Sequence, residues 1–226
     1  MATKRRRSTD TNAQWEAVEN AVRPALPALT AMDNYRDLYA WAVENGFNTK
    51  TLFPKLKRTW RKYDIDYEEM REAGRQTAAA ELAAAADGAP LVVLWCYADP
   101  EHDVYAVCGG PEGEHAWYGE FHQDSRYYET EQTQLDADFD AADKAIYLAG
   151  RVGEHLQVPV VRLQLRTFNH ELDPSRLTRT ALHNKVALTV EVIDNANPAT
   201  DWAMAPGFAS WRDINLDQLV TADVAA

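Results

Sequence analysis

The run PLVVLWCYAD, Pro90 to Asp99, decides how this chain is read. A nearly continuous apolar run of this length suits a central β-strand buried on both faces. Asp87-Gly88-Ala89-Pro90 is a strong breaker ahead of it, and Asp99-Pro100 closes it. Downstream the pattern predicts a second strand over Asp103 to Cys108, a turn over Gly109 to Gly113, and a third strand over His115 to Phe121. A long helix over Leu135 to Leu156, a fourth strand over Val158 to Leu165, a helix over Ser175 to Val186 and a fifth strand over Leu188 to Ile193 complete the series. Asp201 follows in a terminal helical turn. The expectation is an α/β domain over residues 90–226. It has a mixed five-stranded sheet with the first strand central, the first three strands antiparallel, and the helix from about residue 135 packed on one face.

Upstream of the breaker the period is helical. Residues 1–12, MATKRRRSTDTN, are polar and basic and read as a flexible arm. Residues 13–89 read as a helical module. Trp15, Val18, Val22 and Leu26 recur at helical spacing until Pro24 and Pro27, which are expected to end that helix. A second helix covers residues 34–45, and Gly46 stands where a helix C-terminus needs a positive φ. A third begins near Thr49 or Pro54 and runs through Lys62, with Phe53, Leu56 and Trp60 as its apolar stripe. An Ala-rich helix over residues 66–86 follows.

From Lys50 to Lys62 there are six basic residues and no acidic one. A cationic helix behind a short turn is the arrangement that a helix-turn-helix lays in the major groove, and Lys55, Lys57, Arg58, Arg61 and Lys62 are the candidate nucleic-acid contacts. The alternative is the solvated face of an ordinary helical hairpin. The chain as a whole carries a net charge of −12, but unevenly: residues 1–90 hold 14 basic against 13 acidic residues, and residues 91–226 hold 9 against 22. The acidic half disfavours phosphate and suits a basic partner.

With 7 Trp, 10 Tyr and 6 Phe the chain has ample material for a core. No apolar run approaches the ~20 residues of a membrane helix, and no apolar stretch follows the KRRR run as a signal peptide requires, so a cytoplasmic protein without membrane contact is expected. A hairpin turning at His102 could set Cys96 and Cys108 opposite each other, and two buried thiols are the expected state. The sequence has no HExxH, no GxxxxGK[ST] and no GxGxxG, which removes the usual zinc and nucleotide-loop readings.

The strand and helix order, with Tyr97-Ala98-Asp99-Pro100 on the first strand, Asp138 followed by Ala142 and Ile146 in the long helix, and Asn197-Pro198-Ala199-Thr200-Asp201 after the fifth strand, resembles the ribonuclease H-like superfamily and ribonuclease HI within it. The resemblance covers about half of the chain and rests mainly on element order. It implies a Mg²⁺- or Mn²⁺-dependent phosphodiester hydrolase with Asp99, Asp138 and Asp201 as catalytic metal ligands, Asp136 and Asp140 being rivals to Asp138. Two-metal cleavage needs several carboxylates converging on cations roughly 3.5 to 4 Å apart. The family's remaining carboxylate should close the fourth strand, where this chain offers Arg162, Gln164 and Arg166. Glu171 or Asp173 could substitute from the loop.

The expectation is therefore a nucleic-acid-associated protein acting on DNA, RNA or a hybrid, with a degenerate metal-dependent nuclease domain. The alternatives are a non-catalytic binding or assembly subunit of a replication, recombination or mobile-element complex, and an acidic nucleic-acid mimic that inhibits an enzyme.

Overall fold

The computed structural model describes residues 3–221, which divide into two compact units, one up to Thr77 and one from Ala78. The first is helical: α1 (Thr3–Leu29), α2 (Tyr35–Glu44), α3 (Phe53–Arg61) and the start of α4 (Tyr67–Ala85). Asn34 caps α2 by accepting the amides of Arg36 and Asp37, and Gly46 takes φ +74° just beyond its end. Pro54 sits in the first turn of α3, where its missing N–H costs nothing. Val18, Val22, Leu29, Leu38, Ala42, Leu56 and Trp60 are fully buried together.

Two expectations change in this unit. α1 runs through Pro24 and Pro27 to Leu29 instead of ending at the prolines, because the burial of Val22 and Leu29 on either side offsets the backbone bonds that the prolines forfeit. The same helix reaches back to Thr3, so residues 3–12 are helical where a flexible arm was read; extending a formed helix needs no new nucleus. Met1 and Ala2 lie outside the described residues.

The second unit is a mixed sheet with helices. Its strands are β1 (Leu91–Asp99), β2 (Val104–Gly109), β3 (His115–Glu120), β4 (Val161–Thr167), β5 (Val186–Val192) and the short β6 (Val220–Thr221); its helices are α5 (Gln134–Leu156), α6 (Pro174–His183) and α7 (Pro198–Ala203). The strand order is β3-β2-β1-β4-β5, with β1 to β3 antiparallel and β4 and β5 parallel to β1. β6 pairs with Leu91 and Val92, the part of β1 that β2 does not reach. The boundary between units falls inside α4, not at the Asp87-Gly88 breaker.

β1 alternates in burial along its length, and the two faces have different partners. Val92, Leu94, Cys96 and Ala98 pack with Ile146, Leu148 and Ala149 of α5, which starts at a Thr133–Asp136 capping box. Trp95 and Tyr97 face the other way and pack with Ala199, Trp202 and Ala203 of α7. The hairpin register pairs Cys96 with Val107 and Trp95 with Cys108, so the cysteines lie on opposite faces of the sheet rather than opposite each other. Both are free and buried; burial pushes the Cys96 thiol up and raises Cys108 to about 12.

The later boundaries also move. β4 lies at 161–167 where 158–165 was expected, and α6 stops at His183 because Asn184 caps it and Lys185 takes a left-handed φ of 56°. β5 therefore starts at Val186.

Candidate functional site

The three carboxylates selected from the sequence sit in three settings. Asp99 ends β1 and turns back on the β1–β2 connection, where its Oδ1 accepts the Glu101 amide at 2.9 Å and its Oδ2 accepts from His102 Nδ1 at 2.8 Å. Partial burial pushes its carboxyl up, and these hydrogen bonds outweigh that and hold it below the ordinary value. It is a turn-capping acid.

Asp138, on the second turn of α5, is 5% exposed and lines an open cleft of about 450 Å³ with Tyr97, Thr167, Asn169, His170 and Glu171. Its Oδ2 accepts from Asn169 Nδ2 at 2.7 Å and from Gln134 Nε2 at 3.1 Å, and Gln134 also donates to the Ala98 carbonyl at 2.9 Å. Burial raises the Asp138 pKa despite these donors. The native state thus keeps this proton to higher pH than the unfolded chain does. As pH rises above the ordinary Asp value of 3.8, the unfolded chain ionises first and folding stability falls until Asp138 ionises too. Asp138→Asn removes that slope. The expected result is that the variant's unfolding free energy, relative to the parent, rises with pH across this range in denaturant titrations; a pH-independent difference would count against a perturbed Asp138.

Asp201 is exposed in the first turn of α7 and lines a different cavity of about 610 Å³, whose wall includes Trp95, Arg166, Phe168 and Glu191. The structure does not gather Asp99, Asp138 and Asp201, and among the described residues no three His, Cys, Asp or Glu side chains are placed to hold a metal ion. The rivals are also committed: Asp136 closes the Thr133 capping box, and Asp140 pairs with Lys144 and Ser125.

Mg²⁺ and Mn²⁺ take several hard oxygen ligands. One Asp138 oxygen, Oδ2, is instead occupied by two amide N–H groups. At the end of β4, where the resemblance asks for a carboxylate, the chain places Thr167, Phe168 and Asn169, and it is Asn169 that binds Asp138. Glu171 lines the cleft from its rim, while Asp173 is the N-cap of α6. The donor set around Asp138 does not fit a two-metal centre.

Four residues central to this end of the sheet carried no signal in the sequence as site residues: Gln134, Asn169, Phe168 and Glu191. Phe168 lines both cavities. Glu191 on β5 accepts from Arg166 Nε at 2.8 Å and from Gln164 Nε2 at 2.6 Å, and the Arg166 bond holds its carboxyl below the ordinary range. Register alone brings them together, Arg166 being paired directly with Glu191 across parallel strands.

In the helical unit the cations of α3 largely have internal partners. Lys57 pairs with Glu68, Arg61 with Asp66 at 2.9 Å, and Lys62 with Glu19 at 3.2 Å; Lys55 lies 5.9 Å from the centre of the Trp15 ring and donates to the Thr51 carbonyl, and Arg58 is exposed. The hydrogen bonds from Tyr63 and Lys62 lower the Glu19 pKa, and that from Arg61 lowers Asp66. Two free phosphate contacts would contribute roughly 1.8 to the slope of log K against log salt for duplex DNA. With their acids already in place, neutralising Lys57 and Arg61 together is expected to change that slope by less than about 0.5. A change near two units, measured by fluorescence anisotropy across salt concentrations, would restore the phosphate reading.

No protein-family model matches this chain, and comparisons with curated proteins and with solved structures find no match to it. Among the described residues, no helix is long and apolar enough to cross a membrane.

Proposed function

We propose that residues 90–221 are a ribonuclease H-like domain that acts without metal catalysis, as a binding or assembly module that meets a basic partner in a nucleic-acid-handling complex. The sheet order β3-β2-β1-β4-β5 with its antiparallel and parallel halves supports the fold assignment. The observation that carries the functional reading is the pairing of Asp138 with Asn169 and Gln134, because an acid whose oxygen accepts two amide N–H groups is already satisfied without a cation. The excess of 22 acidic over 9 basic residues in 91–226 supports a basic partner over bare nucleic acid.

The test is a titration of the intact chain with Mn²⁺, followed by calorimetry, beside a cleavage assay on an RNA–DNA hybrid. No saturable Mn²⁺ binding and no cleavage are expected. Mn²⁺-dependent cleavage that disappears in Asp138→Asn would overturn the proposal and reinstate a nuclease.

A further inference from the structure

The 610 Å³ cavity beside Trp95 lies on the face of the sheet opposite α5, and its walls are preformed. Trp202 donates its indole N–H to the Gly113 carbonyl at 2.7 Å, tying α7 to the β2–β3 turn. Gly113 takes φ +77° against α7, so close that an added Cβ would come within 2.5 Å of Pro198 Cγ. Buried Asn197 donates to the Cys96 carbonyl and accepts the Ala199 amide, both at 3.0 Å. Glu112 and Asp201 are thereby held as parts of one wall.

The chemistry of the lining is one-sided. Glu112, Glu191 and Asp201 are set against a single cation, Arg166, and that cation is already engaged: Nε bonds Glu191, and the guanidinium carbon lies 5.2 Å from the centre of the Trp95 ring. The cavity thus holds one guanidinium between an indole and a carboxylate, and keeps two exposed carboxylates and the 40% exposed ring of Phe168 beside it. The field left over is negative, in the acidic half of the chain.

We propose that this cavity receives an arginine side chain from a basic polypeptide segment, its guanidinium meeting Asp201 and Glu112 and its plane resting on Phe168. Arginine suits the site better than lysine because a planar fork pairs with carboxylates and stacks on aromatic faces. Phosphate-bearing ligands are disfavoured by the same carboxylates. The proposal deepens the reading of the domain as a receptor for a basic partner, and its failure is separable from failure of that reading, since the metal titration reports on Asp138 and the present test on Asp201.

The intact chain would be titrated by calorimetry with a short amidated peptide alternating arginine and glycine, with its citrulline counterpart, and with a single-stranded oligonucleotide. Binding of the arginine peptide is expected, weakening with salt, and falling by roughly tenfold in the Asp201→Asn, Glu112→Gln double variant and about threefold in Phe168→Ala. A nitroxide on the peptide should broaden the Trp95 indole resonance of the parent chain before that of Trp211, which packs on the α5 side. Equal binding of the citrulline peptide, an undiminished affinity in the double variant, or an oligonucleotide that perturbs Trp95 in preference to the peptide would each overturn the proposal.

Discussion

Asp140→Ala is expected to destabilise the unit from Ala78 onward by about 3–5 kcal/mol, the usual cost of stranding one member of a buried ion pair. Asp140 and Lys144 expose 9% and 16% of their side chains, one helical turn apart on α5. Asp140 also accepts the Ser125 hydroxyl at 2.8 Å, and Ser125 in turn caps the 3-10 turn Arg126–Glu129 that leads into α5. The Lys144 ammonium lies 4.4 Å from the centre of the Tyr105 ring and 5.4 Å from that of Phe121. Without Asp140 that charge keeps, among the described residues, only ring faces worth about 0.5–2 kcal/mol each, against a desolvation cost of several kcal/mol. Replacing both residues at once, Asp140→Leu with Lys144→Met, should recover most of the loss, since the pair then leaves no uncompensated charge. Denaturant unfolding checks both, and a loss below about 1 kcal/mol in the single variant would mean that Lys144 finds water.

In the helical unit the largest loss is expected from Trp60→Ala, about 3–5 kcal/mol. Trp60 is fully buried, with the rings of Trp41, Phe53 and Tyr67 centred 6.1, 6.3 and 6.0 Å away. A small unit has a total stability toward the low end of about 5–15 kcal/mol, so alanine here should melt most of its helix at room temperature. Trp60→Phe should cost less than half as much. It keeps the aromatic contacts and removes an indole N–H that has no hydrogen-bond partner among the described residues. Far-UV circular dichroism through a denaturant series separates the variants; a phenylalanine variant as damaged as the alanine one would show that the indole N–H is satisfied.

Much of this architecture was legible from short stretches. The apolar run of β1, the helix opening near Pro54 and Gly46 after α2 each express a backbone requirement within a few residues, and those elements form as expected. The central place of β1 and the antiparallel run of the first three strands were expected from the element order and are found in the sheet. What failed locally failed through burial elsewhere. Pro24 and Pro27 stay inside α1 because Val22 and Leu29 are fully buried, which a helix-breaking rule does not weigh.

The candidate site was far less legible. Asp99, Asp138 and Asp201 could be picked by type and position, but their fates depend on side-chain direction and on partners distant in the chain. Asn169 lies 31 residues from Asp138, Glu191 lies 25 from Arg166, and Glu19 lies 43 from Lys62. Spacing along a chain reports which face of an element a residue occupies. Which carboxylate meets an amide, which meets a cation, and which is left facing a cavity is decided only when strands settle into register and helices pack. A one-residue offset was enough to put Cys96 and Cys108 on opposite faces of the sheet.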